Sequence, residues 1–574
     1  MFTAENIESS CAASRVANFD WKKMSSQGRS LVLLGSGGLI IGLLAGILAL
    51  LRTHAYSSGF SGADEPAHFL NAYVVSMYLQ SWFSSNPMAF AADFYAHYPK
   101  ISIGHWPPAY YALLGPVFLV IPPTIEAAFL INLIVSALPA AGVAMTLGYL
   151  SGRYAAFIGA GVYALAPLVM EGQSFFMLDQ ALAASCVAAT IAWVHFVAAP
   201  GWKRALFFSF LCAFAVLLKG NGWLMVFVPV YYMILTKNYR LLAKPYLYGA
   251  ALAAAVLVVP WYWATAGISA DGFNYKAGWD YATMALAANL GFVRFNVGVV
   301  SFFLALTAII VEYRARHTTP ARWGIVSACL SLIMATLTLQ SLIPVDIVDR
   351  YMAPALPAIV VLAFLGLQQC YDFLARQNYA AMGALVTVLL VASMVAPGVS
   401  HMLERHPKPD YRMAEVAKVQ QNYSSPGIWL IDGSSNAEGA FIAEMALRDR
   451  SLSSYTVRAS KLLADSNFMG SKYQLKFAGG QGVLREIEHL GIRNIVIAQS
   501  SGRFAFPHSE QLVAALNLPA SSFKKIASFD HVNSVGKTEV YESTASLVPN
   551  FAAVRKQGMP AKASAMIDTL QQNW

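Results

Sequence analysis

Unbroken apolar runs recur along the first 400 residues, near 31–51, 125–150, 154–171, 180–199, 205–218, 222–236, 246–265, 292–312, 323–343, 351–374 and 379–397. Lipid tolerates only helices or closed barrels, because no water satisfies the backbone there, and a helix needs about 20 apolar residues to cross. Runs of this length predict helices, eleven in all. A twelfth run, 107–121, opens with Pro107-Pro108 and ends at Pro122-Pro123. It is short for a span and predicts an interfacial or re-entrant helix. The first run follows a polar tail without a small-residue cleavage site, so an anchor is expected there and not a signal peptide.

From about residue 400 the pattern changes. Short strands (IWLID 428–432, NIVIA 494–498, TEVYE 538–542) alternate with helical stretches (437–449, 482–490), which predicts a small α/β domain. It holds no phosphate loop, GxGxxG or CxxC, and Asp432-Gly433 reads as a strand-to-helix turn.

Composition agrees with the pattern. Of the 574 residues, 57% are hydrophobic and 12% charged, against about 45–50% apolar and about 25% charged in soluble proteins. Disorder, collagen, coiled coil and a disulfide-stapled module are excluded. Cys11, Cys186, Cys212, Cys329 and Cys370 lie in the N-terminal tail or in apolar segments, so no disulfide framework is implied.

The net charge of +9 is informative mainly through its distribution. With 107–121 not spanning, Arg15, Lys22, Lys23, Arg29, Arg153, Lys203, Arg204, Lys237, Arg240, Lys244, Arg314, Arg316, Arg322 and Arg376 share one side. Asp64, Glu65, Asp93, Asp179, Asp271, Asp280, Asp346 and Asp349 fall on the other. Basic loops stay cytoplasmic, so the excess charge reflects topology and not a nucleic-acid footprint. The expected division is a cytoplasmic tail 1–30, a membrane domain 31–399 with an outer loop 53–124, and an extracytoplasmic domain 400–574. The fold class is a polytopic α-helical membrane protein of the cytoplasmic (inner) membrane with a C-terminal extracytoplasmic α/β domain.

Candidate chemistry collects at the outer face. Asp64-Glu65-Pro66-Ala67-His68 reads locally as a helix start, an acid at the N-cap and Pro at N1. Such an acid can also act as a general base or a metal ligand. In Tyr98 to Tyr111 the pair Pro107-Pro108 followed by aromatics makes a rigid turn at headgroup level, and Lys100 and His105 lie at the depth of a lipid phosphate. Asp179 opens a span as a helix cap or as an acid at the surface. Lys219 and Arg350 sit at outer ends of spans, against the basic-inside trend, and need an anion there: a protein acid such as Asp346 or Asp349, or a bound ligand.

In this order, the segments resemble the GT-C glycosyltransferases, namely the protein O-mannosyltransferases and the lipid A aminoarabinose transferases. The resemblance runs from about 55 to 360. It rests on Asp64-Glu65 with His68, His105 to Tyr111, Asp179-Gln-Ala-Leu, Lys219-Gly220, Pro260-Trp261, and Arg350 to Pro357. It implies a polyprenyl-phosphate-linked sugar as donor and a glycan, lipid or protein as acceptor, with no nucleic acid. Asp64 would be the base and Glu65 would support it or bind acceptor or metal, with Asp179 a further acid. Lys100, His105, Lys219 and Arg350 would hold the donor phosphate, and His68, Tyr110, Tyr111 and Tyr351 would contact substrate. Trp106 separates His105 from Pro-Pro, where relatives often place Lys or His directly, which raises Lys100 as the substitute.

A polyprenyl phosphate leaves readily once its charge is stabilised, so one carboxylate and a basic cluster suit single displacement with inversion. Retention would need a carboxylate nucleophile. No cofactor is required, and a divalent metal would fit only at Asp64 and Glu65. The competing readings are a transporter or flippase of lipid-linked saccharides, which would show repeated halves and midplane charges, and a non-catalytic scaffold.

Overall fold

The computed structural model describes residues 21–102, 104–269, 272–420, 426–466, 470, 472–500 and 506–558. Expectations for Cys11, Arg15, Asp271 and the start of the 1–30 tail lie outside them. The chain forms helices α1 (Trp21–Thr53), α2 (Glu65–Gln80), α3 (Pro87–His97), α4 (Ala109–Val120), α5 (Ile125–Ser151), α6 (Arg153–Ala164), α7 (Pro167–Ser174) and α8 (Asp179–Ala198). Next come α9 (Trp202–Leu218), α10 (Phe227–Thr236), α11 (Pro245–Ser269), α12 (Trp279–Arg314), α13 (Pro320–Leu342), α14 (Leu356–Arg376) and α15 (Ala380–Glu404).

Among the described residues, eight helices are long and apolar enough to cross a membrane, or nine if α6 and α7 count as one. The expected eleven are thus not met, for local reasons. Run 154–171 is bent by 61°, because Pro167 disfavours the helical conformation at Ala166, which is extended. Runs 205–218 and 222–236 are two short helical pieces, separated at Lys219, whose backbone is extended. After it Gly222 passes so close to the Ala215 carbonyl that a Cβ would sit 2.2 Å from the oxygen. The short 107–121 run is indeed only the 12-residue α4, with Tyr110, Tyr111, Leu114 and Phe118 buried.

Helix α1 lies along α5, and the close approach needs glycine. A Cβ on Gly38 would come 2.6 Å from the Ala144 methyl, and one on Gly42 would come 2.9 Å from that of Ala137. Lipid gives helices no hydrophobic reason to associate, so small residues that let backbones approach supply the contact instead.

The soluble part adds α16 (Met413–Gln420), β1 (Ile428–Asp432), α17 (Ser435–Arg448), β2 (Tyr455–Arg458), α18 (Ala459–Leu462), β3 (Ala464–Asp465), β4 (Gln474–Leu475) and α19 (Gly480–His489). It ends with β5 (Asn494–Ser500), α20 (Pro507–Leu516), β6 (Phe523–Asp530), β7 (Gly536–Ser543) and α21 (Phe551–Gly558). The main sheet runs β2-β1-β5-β7-β6, with β2, β1 and β5 parallel and β7 and β6 antiparallel. Alternation along β1 sends Ile428 and Leu430 to one core. Trp429 and Ile431 join a second core that is continuous with the membrane helices.

Polar contacts reinforce that docking. Tyr98 donates to Asp449 at 2.6 Å, His97 donates to the Ser454 carbonyl at 2.9 Å, and Arg555 pairs with Asp93. Lys408, between α15 and α16, reaches Glu65 at 2.9 Å. The α/β domain is therefore seated on the loop that carries the first acidic pair.

Candidate active site

Asp64 precedes α2 at the N-cap position without a side-chain capping bond, and Pro66 in the first helical turn sets the entry of the chain. Its carboxylate accepts from Arg350 at 3.3 Å, and both side chains remain one-third exposed (33% each). Burial would raise the Asp64 carboxyl, but the basic groups around it outweigh that and hold it below the ordinary carboxylate value. His68 contributes most to this lowering, followed by Arg350, Lys100 and Lys219, while burial drives His68 itself down to about 3. His68 shares a 2.7 Å hydrogen bond with the Tyr111 hydroxyl and lies 4.2 Å from the Trp106 ring.

Across from Asp64, at the turn between α9 and α10, Lys219 donates to Asp179 at 2.6 Å. Burial lowers the Lys219 pKa while Asp179 opposes it. The second Asp179 oxygen is buried and finds no hydrogen-bond partner among the described residues. Tyr351 lies between the two cations, with Lys219 Nζ 5.0 Å and the Arg350 guanidinium 5.7 Å from its ring. Two acids, two bases and an aromatic face thus meet at one end of the helices, as the outer-face placement of these residues in the sequence leads one to expect.

Other expected members are placed differently. Glu65 faces away from this cluster and is fully buried. It accepts from the Ser61, Gly62 and Phe176 amides at 2.9, 2.7 and 2.7 Å, and from Lys408 at 2.9 and 3.1 Å. Both of its oxygens are engaged, so Glu65 is a staple between the loop, the membrane helices and the α/β domain. Asp64 and Glu65 consequently do not form a chelating pair, and among the described residues no group of three or more His, Cys, Asp or Glu is disposed to hold a metal ion. The residues do not fit a metal there.

Tyr110 is core, buried against Phe176 and Tyr111 at 6.2 and 6.0 Å between ring centres. His105 is half-buried beside Trp106. Lys100 lies on the α/β-domain side of Asp64, packed against Gly439 of α17. Burial, together with Arg458, pulls its pKa down to about 7. Lys408 escaped the sequence reading, although it is a basic residue just past the last span. The departure from basic-inside that singled out Lys219 and Arg350 applies to it equally.

Residues 105–263 match the family described as dolichyl-phosphate-mannose-protein mannosyltransferase. The matched stretch contains His105, Asp179 and Lys219 and stops short of Asp64 and Arg350. The fold is similar to the crystal structure of ArnT from Cupriavidus metallidurans in the apo state, at 12% identity over 92% of this chain and 100% of that one, with a TM-score of 0.52. The same ArnT bound to undecaprenyl phosphate aligns at 13% identity over 91% of this chain and 100% of that one (TM-score 0.49). The Archaeoglobus fulgidus oligosaccharyltransferase in complex with Zn and sulfate aligns at 11% identity over 80% and 68% (TM-score 0.49). No curated protein sequence matches the chain. The family match thus lies on the helices that hold Asp179 and Lys219, in a fold similar to that of ArnT, and the chain resembles the GT-C glycosyltransferases, namely the protein O-mannosyltransferases and the lipid A aminoarabinose transferases.

Proposed function

We propose that the protein transfers a sugar from a polyprenyl-phosphate donor to an acceptor at the extracytoplasmic face, with inversion at the anomeric carbon. The observation that supports this most is the Asp64–Arg350 contact: a carboxylate held ionised, one-third exposed, beside a cation that a phosphate can share. Asp64 takes the proton of the acceptor hydroxyl or amine, whose lone pair forms the new bond to the anomeric carbon. The bond from that carbon to the phosphate oxygen breaks, and its electron pair leaves with the polyprenyl phosphate. Arg350, with Lys219 behind it, stabilises that charge, and the donor phosphate competes with Asp64 for the guanidinium, which frees the base as the donor seats.

Charge-assisted hydrogen bonds contribute about 1.5–3 kcal/mol each. Arg350→Ala should therefore raise the donor KM roughly 10- to 100-fold, with a smaller change in kcat. An unchanged donor KM would move the phosphate elsewhere.

Orientation carries its own test. The basic loops put α16 through α21 outside the cytoplasm. A periplasm-dependent reporter fused after residue 558 should be active, and a cytoplasm-dependent one silent. The reverse result would invert the site.

A further inference from the structure

The α/β domain and the outer loop enclose a cavity of about 260 Å³ next to the site. Tyr95 of α3, Pro99, Phe477 and three cations, Arg458, Lys461 and Lys476, line it. Its other walls come from β2, α18, α19 and α21, and no lining residue belongs to a membrane-spanning helix. Arg458 is matched by Glu438 at 2.7 Å. Among the described residues, the exposed Lys461 donates to the Ser466 carbonyl and hydroxyl at 3.4 Å, and the exposed Lys476 donates to the Lys461 carbonyl at 2.6 Å. Glu486 is an acid on the same wall, so the lining carries three cations against one carboxylate. The lining is thus net positive, with aromatic faces beside the charge.

The cavity wall is also linked by contacts to Asp64. Pro99 forms part of its wall, and the next residue, Lys100, packs on Gly439 of α17. Gly439 touches Pro66 as well, two residues from Asp64, so a Cβ there would lie 3.0 Å from the Pro66 ring and 2.8 Å from the Lys100 side chain. Lys100 feels Asp64 on one side and Arg458 and Glu438 on the other. Lys219 and Arg350 lie on the membrane side of Asp64, where a polyprenyl chain must remain. The opposite side is left for the acceptor.

We propose that this cavity binds an anionic sugar unit of the acceptor, so that the α/β domain selects an acidic saccharide and presents its nucleophile to Asp64. The inference rests on the glycosyltransferase reading and gives that reading an acceptor class. Its volume is a little below the roughly 300–1,000 Å³ of pockets for drug-sized ligands, which suits a terminal sugar unit. The placement away from the membrane helices disfavours an acyl chain.

The test uses the full-length protein in nanodiscs and three probes: fluorescent trigalacturonate, fluorescent maltotriose and inorganic phosphate. Trigalacturonate should bind at least about tenfold more tightly than maltotriose, and Lys461→Glu with Lys476→Glu should erase that preference, two charge contacts of up to about 1 kcal/mol each being removed. Both lysines are exposed, so the variant should fold, and an unchanged melting temperature and circular-dichroism spectrum would verify it. Equal binding of the two oligosaccharides, or a preference that survives the double reversal, would overturn the proposal. Phosphate binding as tight as that of trigalacturonate would overturn the saccharide assignment and leave a bare anion site. Failure of the transferase reading itself would show separately, as no transfer from a polyprenyl-phosphate sugar by the wild-type protein to any saccharide while trigalacturonate binding stays intact.

Discussion

Turnover of purified Asp64→Asn protein should fall by about 10²–10⁴-fold, the usual contribution of a general base, while donor binding stays within a few-fold of wild type. Asn keeps the size and one acceptor oxygen of Asp, so the contact to Arg350 survives in weakened form and the phosphate side of the site remains built. The proton has nowhere to go. The measurement is transfer from a synthetic polyprenyl-phosphate sugar, followed as kcat and KM separately. Because the pKa of Asp64 lies below the ordinary value of 3.8, the carboxylate is ionised throughout the neutral range. Loss of rate through this group should therefore begin only as pH falls below that value. Lys100 has the opposite sign: it is charged below about 7 and loses its charge above. An alkaline limb near 7 that disappears in Lys100→Met would show that its charge is used. Near-normal turnover in Asp64→Asn would remove this residue from the mechanism and leave Asp179, with its unpartnered oxygen, as the acid to test.

Lys408→Ala should destabilise the protein by about 3–5 kcal/mol, the cost of leaving one member of a buried ion pair uncompensated. Lys408 and Glu65 have side-chain exposures of 2% and 0%, so water cannot replace the missing partner. Glu65→Gln should cost a comparable amount, because it strands the Lys408 ammonium. Such a loss is expected to loosen the α/β domain from the outer loop, read as a lower melting temperature and faster proteolysis after residue 404. Activity should fall with stability and recover on cooling. The double variant Glu65→Gln with Lys408→Met removes both charges and should regain much of the loss, a coupling that a double-mutant cycle measures directly. A Glu65→Gln protein of wild-type stability and low turnover would restore Glu65 to the chemistry.

Much of this architecture is legible in the amino-acid order because the signals are local. Uninterrupted apolar runs report transfer free energy residue by residue, which locates the long helices. IWLID appears as β1 at the residues expected, and Pro107-Pro108 opens a short helix as its turn chemistry requires. The two charges that stand against the expected basic-inside pattern, Lys219 and Arg350, each meet an acid, since an unpaired charge at a membrane boundary is costly and persists only with a partner. Mean hydropathy is blind to a backbone that turns at one residue. It therefore reads α6 with α7 as an unbroken span, and α9 and the segment after Lys219 as two more.

Pairing is a different matter. Arg350 chooses Asp64 across 286 positions, and Lys408 chooses Glu65 across 343. Neighbouring acids in sequence, Asp64 and Glu65, point to opposite partners, one toward Arg350 and the other into a buried staple with Lys408. Successive residues at a helix start leave its axis about 100° apart, so adjacency in the chain gives no shared environment. Which base meets which acid, and on which side of Asp64 Lys100 falls, depends on how the helices and the sheet domain pack, and only the tertiary structure decides it.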